Sequence, residues 1–573
     1  MRQGVKSGPA LSSREGSSES SWHYIALAAN AGAPPASAAR PEKCHGDTMK
    51  MDFARVMGQV ATQFANEEAL VNIERNRRYT FRELHRLTNR IANMMRTRLN
   101  LRRGDVALCI LENDNLSLLH AWTAFKGEAA LTHTNIRDAF DEHRWQVGFI
   151  RPKAVFIETT LLERYGDMLR EHGATIVCMD PPPVPHEGTQ YFWDLLDAVS
   201  DADPGIQNDT RSDMLIYRFT GGTTGKSKCA QYTIDNWLAA RDTMYADEQQ
   251  SVALNSRTRY LHIAPVSHGS GLSFLPTLFR GGCTLTQNAA DLKAWCRNVE
   301  AENVTTTLMV PTLVSWLLDL PEASQHDLSS LRTLYYGAAP MSPARLAQAQ
   351  QRFGNIFFQL YGATECAQAV CTLTPSDHLT AAETGRLASA GRPTAGIEMR
   401  IVDEAGNDAP PCATGEIWLR GRGTISGYYN NPEGTAAEFS DGFWKSGDLG
   451  YIDEAGYLFI VDRKKDVIIT GGFNVYAVEV EASLNAHPDV ALSAVVGVPH
   501  DKWGEAVHAE VVLKAGASVA PDALIEHVKE TLGRFKAPKT VSIVEMLPVS
   551  AVGKVLRRRV REKYWTDQPR RVS

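Results

Sequence analysis

A layered α/β protein is the fold class this sequence predicts: a large N-terminal domain of α/β sheets with a β-rich subdomain, followed by a small α+β C-terminal domain. Three observations point there. Helical periodicity followed by an apolar run recurs through the first 400 residues, which argues for largely parallel sheets flanked by helices. From about Gly396 the apolar runs shorten and glycines multiply, as in Glu416-Ile417-Trp418-Leu419 and Tyr457-Leu458-Phe459-Ile460-Val461, which suggests a β-rich subdomain over 396–463. After Asp462-Arg463-Lys464-Lys465-Asp466 comes a mixed α/β tail of about 100 residues, enough for a core of its own.

The elements follow in order. Residues 1–48 are rich in Ser, Ala, Gly and Pro and lack periodicity, so disorder is expected. Glu15, Glu19 and Glu42 argue against a transit peptide, and Met49 and Met51 stand where structured sequence begins, as alternative starts. The large domain then spans 49–463. Thr80-Phe81-Arg82-Glu83 has the form of a capping box, with Leu84, Leu87 and Ile91 at helical spacing behind it. Val106–Leu111 reads as a buried strand. Leu162–His172 before Thr175–Cys178, and Trp295–Glu302 before Val304–Val310, repeat the helix-then-strand order. The small domain takes 464–573. The charged run at its start reads as a solvated turn on composition, and as a candidate hinge on position.

At 573 residues the chain exceeds one ordinary core. Its 22% charged and 43% hydrophobic residues are ordinary for a globular protein, and the net charge of −6 gives no sign of nucleic-acid binding. No apolar run reaches the ~20 residues of a membrane helix. The nine cysteines are scattered without a C-x-x-C pair, and Cys109 lies in an apolar stretch, the usage of a reducing cytoplasm.

The most informative stretch is Thr220-Gly221-Gly222-Thr223-Thr224-Gly225-Lys226-Ser227-Lys228, directly after the strand-like Met214–Phe219. Glycines let backbone N–H groups close around phosphate oxygens, hydroxyls add neutral donors, and lysine adds charge. Gly225-Lys226-Ser227 is also the second half of a Walker A loop, but Thr220 stands where that motif needs its first glycine. A P-loop NTPase, or a glycine-rich loop with no ligand, remains open on these residues alone.

Further motifs follow in order: Tyr361-Gly362-Ala363-Thr364-Glu365, Gly415-Glu416, Gly427-Tyr428, Ser446-Gly447-Asp448, Arg463 and Lys465 before Gly471-Gly472-Phe473-Asn474, and Val552-Gly553-Lys554. With them the chain resembles the adenylate-forming superfamily of acyl-CoA synthetases, adenylation domains and luciferases, from about Met51 to Lys563. It departs from the family pattern at Ser227 (usually proline), Cys229 (usually glycine) and Ala477 (often proline). Ser227 frees a φ that proline would fix, so a more mobile loop is expected there.

The resemblance implies ATP, Mg2+ and coenzyme A as co-substrates, and a small domain that rotates between two half-reactions. It implies that Thr220, Gly221, Gly222, Thr223, Thr224, Gly225 and Lys228 close on the β- and γ-phosphates, with Glu365 and Thr224 at Mg2+ and Thr364 at the α-phosphate. Gly337, Ala338, Ala339, Tyr361 and Gly362 would frame the adenine. Asp448 and Arg463 would hold the ribose; read without the family, Ser-Gly-Asp is also turn chemistry. Lys554 would bridge the substrate carboxylate and the α-phosphate, as a flexible point charge can; among Arg557, Arg558 and Arg559 it also reads as one more solvated lysine. Lys465 matches the hinge, and Gly471, Gly472 and Phe473 the pantetheine path. His268 falls at the acid pocket, where a steric or catalytic role is implied, with Gly269, Val310, Tyr336, Gly337, Gly362 and Ala363 as lining. The terminal arginines could attract CoA phosphates, although a solvated helix face fits them as well.

The implied activity is that of an AMP- and pyrophosphate-forming acid–thiol ligase. Its expected substrate is a medium- or long-chain fatty acid. A cyclic, aromatic or steroid-derived acid is the alternative, as is a free-standing ligase that loads a carrier protein. Lys554 lies close to the end of the chain, so no carrier domain is expected, and Arg571-Val572-Ser573 is not a peroxisomal signal. The expected setting is cytoplasmic, with no nucleic-acid or membrane partner; a homodimer is compatible with the sequence.

Overall fold

The helix-then-strand order resolves into two large sheets in the computed structural model, which describes residues 49–181, 186–220, 227–246, 254–550 and 554–565. The expectations for 1–48 and for Gly221, Gly222, Thr223, Thr224 and Gly225 lie outside the described residues.

Among the described residues the first sheet orders its strands Cys229–Tyr232, Ile216–Phe219, Ala130–His133, Val106–Ile110, Ala154–Ile157, Thr175–Cys178 and Thr189–Tyr191. All neighbours are parallel except the first two, which form an antiparallel pair. Every residue of Val106–Ile110 is buried, as a parallel strand covered on both faces requires. The second sheet has a parallel centre running from Glu68–Asn72 through Cys283–Thr286, Arg259–His262, Thr306–Met309 and Thr333–Gly337 to Phe357–Ala363. Antiparallel strands flank it: Arg77–Thr80 at one edge, Cys366–Leu373 and Arg392–Pro393 at the other.

One continuous core joins the sheets. It takes Leu131, Phe156 and Ile216 from the first and Ala69 and Leu70 from the second, with Phe81, Trp122 and Trp237 from helices between them. Each such large side chain contributes about 1.5–3 kcal/mol by leaving water. The capping box forms as read: Thr80 accepts from the Glu83 N–H, and Glu83 accepts from the Thr80 N–H at 2.9 Å, opening the helix Phe81–Thr97.

A polar fastening complements the core. Arg75 follows the strand Glu68–Asn72 and reaches Asp114 at 2.5 Å, Asp180 at 2.6 Å and Glu158 at 2.8 Å. Each carboxylate lies just beyond the C-terminal end of a parallel strand of the first sheet, so one guanidinium ties three strand ends to the second sheet.

The β-rich subdomain is the antiparallel sheet Ile397–Val402, Gly415–Gly421, Phe443–Ile452, Leu458–Arg463. A Cβ on Gly415 would lie 2.5 Å from the Val402 carbonyl oxygen, which explains the glycine. In the small domain, Phe473–Val475, Ile468–Thr470, Gly504–Leu513, Val490–His500 and Thr540–Ile543 form a mixed sheet. The helices Ala477–Ala486 and Pro521–Leu532 cover it through Val480, Leu484, Leu524 and Val528. Ala477 opens its helix fully buried, a first-turn position where proline and alanine both fit.

The charged run is not simply a solvated turn. Asp462 is 2% exposed and binds the Arg557 guanidinium at 3.1 Å, while Arg557 also takes Glu481 at 2.5 Å. Arg557 is therefore an internal tie of the small domain to the strand Leu458–Arg463, and not part of a solvated helix face.

Candidate active site

The glycine loop is drawn closed at its neck. The Thr220 N–H donates to the Lys228 carbonyl at 2.8 Å, and the Lys228 N–H to the Thr220 hydroxyl at 3.3 Å. The antiparallel strands Ile216–Phe219 and Cys229–Tyr232 carry the two ends. Ser227 uses the hydroxyl that proline would lack: it donates to Glu142 Oε1 at 2.5 Å, a tether that the freed φ alone did not suggest. Cys229 is buried at the start of its strand, where burial pushes the thiol up and out of reactive range.

Lys228 points back at the body of the protein. Its ammonium pairs with Glu438 and lies 5.0 Å over the Tyr428 ring. The Tyr428 hydroxyl contacts Glu438 Oε2 at 2.6 Å and Glu365 Oε1 at 2.8 Å. Glu365 and Thr364 make the turn between Phe357–Ala363 and Cys366–Leu373. Tyr232 fixes that turn by donating to the Thr364 carbonyl at 2.5 Å, and the Ile425 N–H donates to the Glu365 carbonyl. Burial raises the Glu365 carboxyl above its ordinary value and Glu438 adds to this, while Tyr428 and Lys228 oppose it. A carboxylate with hard oxygen donors fits Mg2+, which completes its shell with phosphate oxygens and water. Among the described residues no three ligating side chains form a cage of their own.

Beside this lies a second group. Tyr361 donates to Asp448 Oδ2 at 2.7 Å, and Arg463 reaches Asp448 Oδ1 at 3.2 Å. Asp448 and Arg463 are cross-strand partners, and the Ser446 hydroxyl accepts from the Asp448 N–H at 3.0 Å. Asp448 is 7% exposed. Each carboxylate oxygen keeps a second lone pair, so the group retains acceptor capacity for hydroxyls.

Lys554 of the small domain is paired with Ser550: the Ser550 N–H donates to the Lys554 carbonyl at 2.7 Å, and the Lys554 N–H donates to the Ser550 hydroxyl at 3.1 Å. Its ammonium feels both Arg463 and Asp448. Burial and the Arg463 charge hold it down to about 8, against the pull of Asp448. Lys465, in the turn after Leu458–Arg463, is held at about 8 by burial and by Arg463. Lys228, Glu365, Asp448, Arg463 and Lys554, spread over more than half the chain, thus fall into two clusters, and Lys465 feels the charge of Asp448 in one and of Glu438 in the other.

The strand end Thr333–Gly337 supplies a close backbone approach. A Cβ on Gly337 would sit 2.1 Å from the Leu360 carbonyl oxygen. Ala338 follows at φ 67, a left-handed conformation that an alanine adopts only under constraint from its surroundings. Ala339 continues the same turn, and Gly362 is exposed.

The acid-side residues divide. His268 is half-buried, with burial and the charge of Arg218 pushing its imidazole down to about 4, so it is neutral at physiological pH. Arg218 is buried and unread in the sequence. It donates to the carbonyls of His268 at 3.0 Å and Val266 at 3.3 Å, and lies 4.8 Å over the Trp237 ring. Gly269 is exposed beside His268, and Ala363 is half-buried. Val310 is buried as the N-cap of Pro311–Asp319. The Tyr336 ring is 1% exposed, with its hydroxyl between Gln359 at 2.9 Å and His378 at 2.8 Å, so it packs in the core of the second sheet.

Gly471 and Gly472 sit at φ 59 and 84 in a surface turn of the small domain. Phe473 is 65% exposed and meets Phe535 edge-on at 5.1 Å. Their contacts are to the small domain and not to the two clusters above. Glu438, Tyr232 and Arg218 were not singled out from sequence. Tyr428 was quoted only as part of a Gly-Tyr pair. Strand alternation brings Arg218 inward, but nothing local marks Glu438.

Known proteins resemble this chain in sequence and in fold. Residues 58–429 match the AMP-binding enzyme family, and residues 479–554 its C-terminal domain. The chain is 36% identical over 433 residues to the medium/long-chain-fatty-acid–CoA ligase FadD8 of Mycobacterium tuberculosis, covering 74% of each. It is 37% identical over 373 residues to a feruloyl-CoA synthase of Amycolatopsis sp, covering 64% of this chain and 73% of the relative. In three dimensions it resembles the amide bond synthetase McbA of Marinactinospora thermotolerans, with a TM-score of 0.79 at 29% identity over 89% of this chain and 99% of that one. The chain therefore belongs to the AMP-binding enzyme family, the adenylate-forming ligases that activate carboxylic acids.

Proposed function

We propose that this protein joins a hydrophobic carboxylic acid to coenzyme A through an acyl-adenylate, and that an aromatic or cyclic acid is the better reading of the substrate than a fatty acid. One observation carries the reaction. Lys554 of the small domain is electrostatically coupled to the ion-paired Asp448 and Arg463, and Lys465 is coupled to both Asp448 and Glu438, so cationic and carboxylate groups from distant segments act on one another.

In the first half-reaction a carboxylate oxygen attacks the α-phosphorus of ATP and pyrophosphate leaves. In the second, the thiol sulfur attacks the acyl carbon and AMP leaves. Both move negative charge among phosphate oxygens, which fixed cations and oriented donors stabilise. Lys554 would neutralise the carboxylate and α-phosphate as they meet, and Thr364 would donate to the α-phosphate. Lys228 and the loop 220–225 would hold the pyrophosphate end. Asp448 and Arg463 would orient the ribose, with Gly337, Ala338, Ala339 and Tyr361 against the adenine. Mg2+, bound through Glu365, would enter with ATP and offset phosphate charge. The small domain, beginning at Lys464, would then rotate about Lys465 to bring Gly471, Gly472 and Phe473 to the thiol.

The neutral His268, held by Arg218 through its carbonyl, suits an uncharged acid body. The feruloyl-CoA relative, whose name specifies an aromatic acid, supports that reading. The FadD8 relative keeps the fatty acid as the second reading, and a carrier protein in place of coenzyme A as the remaining alternative. A cytoplasmic setting fits the free thiols of the described residues, all buried except Cys412, and no helix among those residues is long and apolar enough to cross a membrane.

The test is AMP release across aromatic, polycyclic and fatty acids with coenzyme A as acceptor, alongside acid-dependent pyrophosphate exchange. Release of phosphate without AMP would refute acid activation. A preference for straight-chain acids would overturn the substrate reading alone.

A further inference from the structure

Glu438 carries no motif, yet it pairs directly with Lys228 and reaches Glu365 through the Tyr428 hydroxyl, the two charged groups expected at the phosphates. It closes the short helix Pro432–Glu438, whose N-cap Asn431 accepts from the Gly434 N–H at 2.8 Å. One carboxylate oxygen pairs with the Lys228 ammonium. The other lies 2.6 Å from the Tyr428 hydroxyl, which is itself 2.8 Å from Glu365. Tyr428 is rigidly mounted. It is 4% exposed, bridges to Ala230 beside the loop neck, donates its N–H to the Thr435 hydroxyl at 3.0 Å, and packs edge-on to Phe439 at 5.8 Å.

Two consequences follow from the chemistry of these groups. A lysine is a point charge on a flexible stem, and left alone it would sample many rotamers. A fixed carboxylate selects one of them. A phenol carries a single hydrogen, so its bonds to two carboxylates are coupled, and the Glu438 end sets how firmly the hydroxyl is offered to Glu365.

We propose that Glu438 is a positioning residue for the pyrophosphate end of MgATP, acting on Lys228 directly and on Glu365 through the Tyr428 hydroxyl. This rests on the adenylate-forming reading given above. It adds a residue from a different segment to the phosphate site and separates the control of the outer phosphates from that of the AMP moiety, which Asp448 and Arg463 govern.

The experiment compares wild type, Glu438→Ala, Glu438→Gln and Tyr428→Phe by calorimetric titration with MgATP and with AMP, plus a Mg2+ titration of pyrophosphate exchange. Glu438→Ala is expected to weaken MgATP by about tenfold while leaving AMP within about twofold, since AMP lacks the outer phosphates. Glu438→Gln, whose amide oxygen still accepts from Lys228 or Tyr428, should recover part of the loss and serves where the alanine variant does not fold. Tyr428→Phe keeps the Lys228 pair and should mainly raise the Mg2+ concentration needed for half-maximal exchange. MgATP binding unchanged or tightened in both Glu438 variants would overturn the proposal, making Glu438 a bystander or a competitor of the phosphates. Equal losses for MgATP and AMP would also overturn it, in favour of a structural role. Wild-type protein that binds MgATP but shows no acid-dependent exchange would refute the reaction and leave the binding comparison to judge Glu438.

Discussion

Tyr361 and Asp448, 87 residues apart, share a 2.7 Å hydrogen bond that fixes one carboxylate oxygen while Arg463 holds the other. Acceptor capacity is thus oriented before any ligand arrives. Asp448→Ala is expected to lower AMP affinity by about 10- to 100-fold, the scale of hydrogen bonds to a charged group. The decisive comparison is between AMP and its 2′- and 3′-deoxy analogues. Wild type should discriminate among them, and the variant should not. Discrimination that survives in the variant would place the ribose elsewhere.

Lys554→Ala is expected to abolish acid-dependent pyrophosphate exchange while sparing thioester formation from supplied acyl-adenylate. The pH profile gives a second check. The Lys554 ammonium, held down to about 8 by burial and Arg463, is charged below that pH and loses its proton above it. If the charged form does the work, kcat/KM for adenylation is flat below about 8 and falls toward about tenfold per pH unit above it. Thioester formation should lack that limb. A flat adenylation profile to pH 9.5 would remove Lys554 from the step.

Lys465 stands in the turn between the last strand of the β-rich subdomain and the small domain. Proline there fixes φ near −65° and removes an N–H. Lys465→Pro should leave pyrophosphate exchange within about threefold and cut overall thioester production by about 100-fold or more. Loss of both half-reactions together would argue for misfolding and against a hinge.

Arg75 offers a stability test. In Arg75→Met, Asp114 and Glu158 stay buried without their cation, which should cost about 3 kcal/mol, the lower end for a broken buried pair because Arg75 keeps some solvent contact. Burial already raises the Glu158 carboxyl above its ordinary value. A carboxyl whose folded value is raised burdens the fold above that value and is relieved as pH falls through it. Urea unfolding should therefore show a larger deficit at pH 7.5 than at pH 5. A deficit that does not change with pH would mean the carboxyls are not the cause.

The layers were legible because they are written locally. Thr80 and Glu83 announce a helix start within four residues, and Val106–Ile110 is apolar throughout because both its faces are covered. The order of strands was not legible, since Glu68–Asn72 finds its parallel partner at Cys283–Thr286, far along the chain. The site divides the same way. Lys228, Glu365 and Asp448 sit in motifs, whereas Glu438 meets Lys228 across 210 residues at the end of a helix with no marked composition. Arg218 was hidden for another reason: an arginine in a strand reads as an edge or surface residue until its carbonyl partners are known. Tyr336 was expected as pocket lining on the strength of the resemblance, whereas the pleat turns its ring toward His378 and the core.

The two hydrogen bonds between Thr220 and Lys228 have a wider meaning for how such a loop varies. Of the four atoms involved, three are backbone and the fourth is the Thr220 hydroxyl. None comes from the side chains of Ser227 or Cys229. The ends of the loop are therefore fixed independently of what those two positions carry, and a lineage can replace proline with a serine that bonds Glu142, or glycine with a buried thiol, without reopening the neck. The neck is held by one set of atoms and flanked by another, so the residues at 227 and 229 can change while the backbone pairing around them stands still.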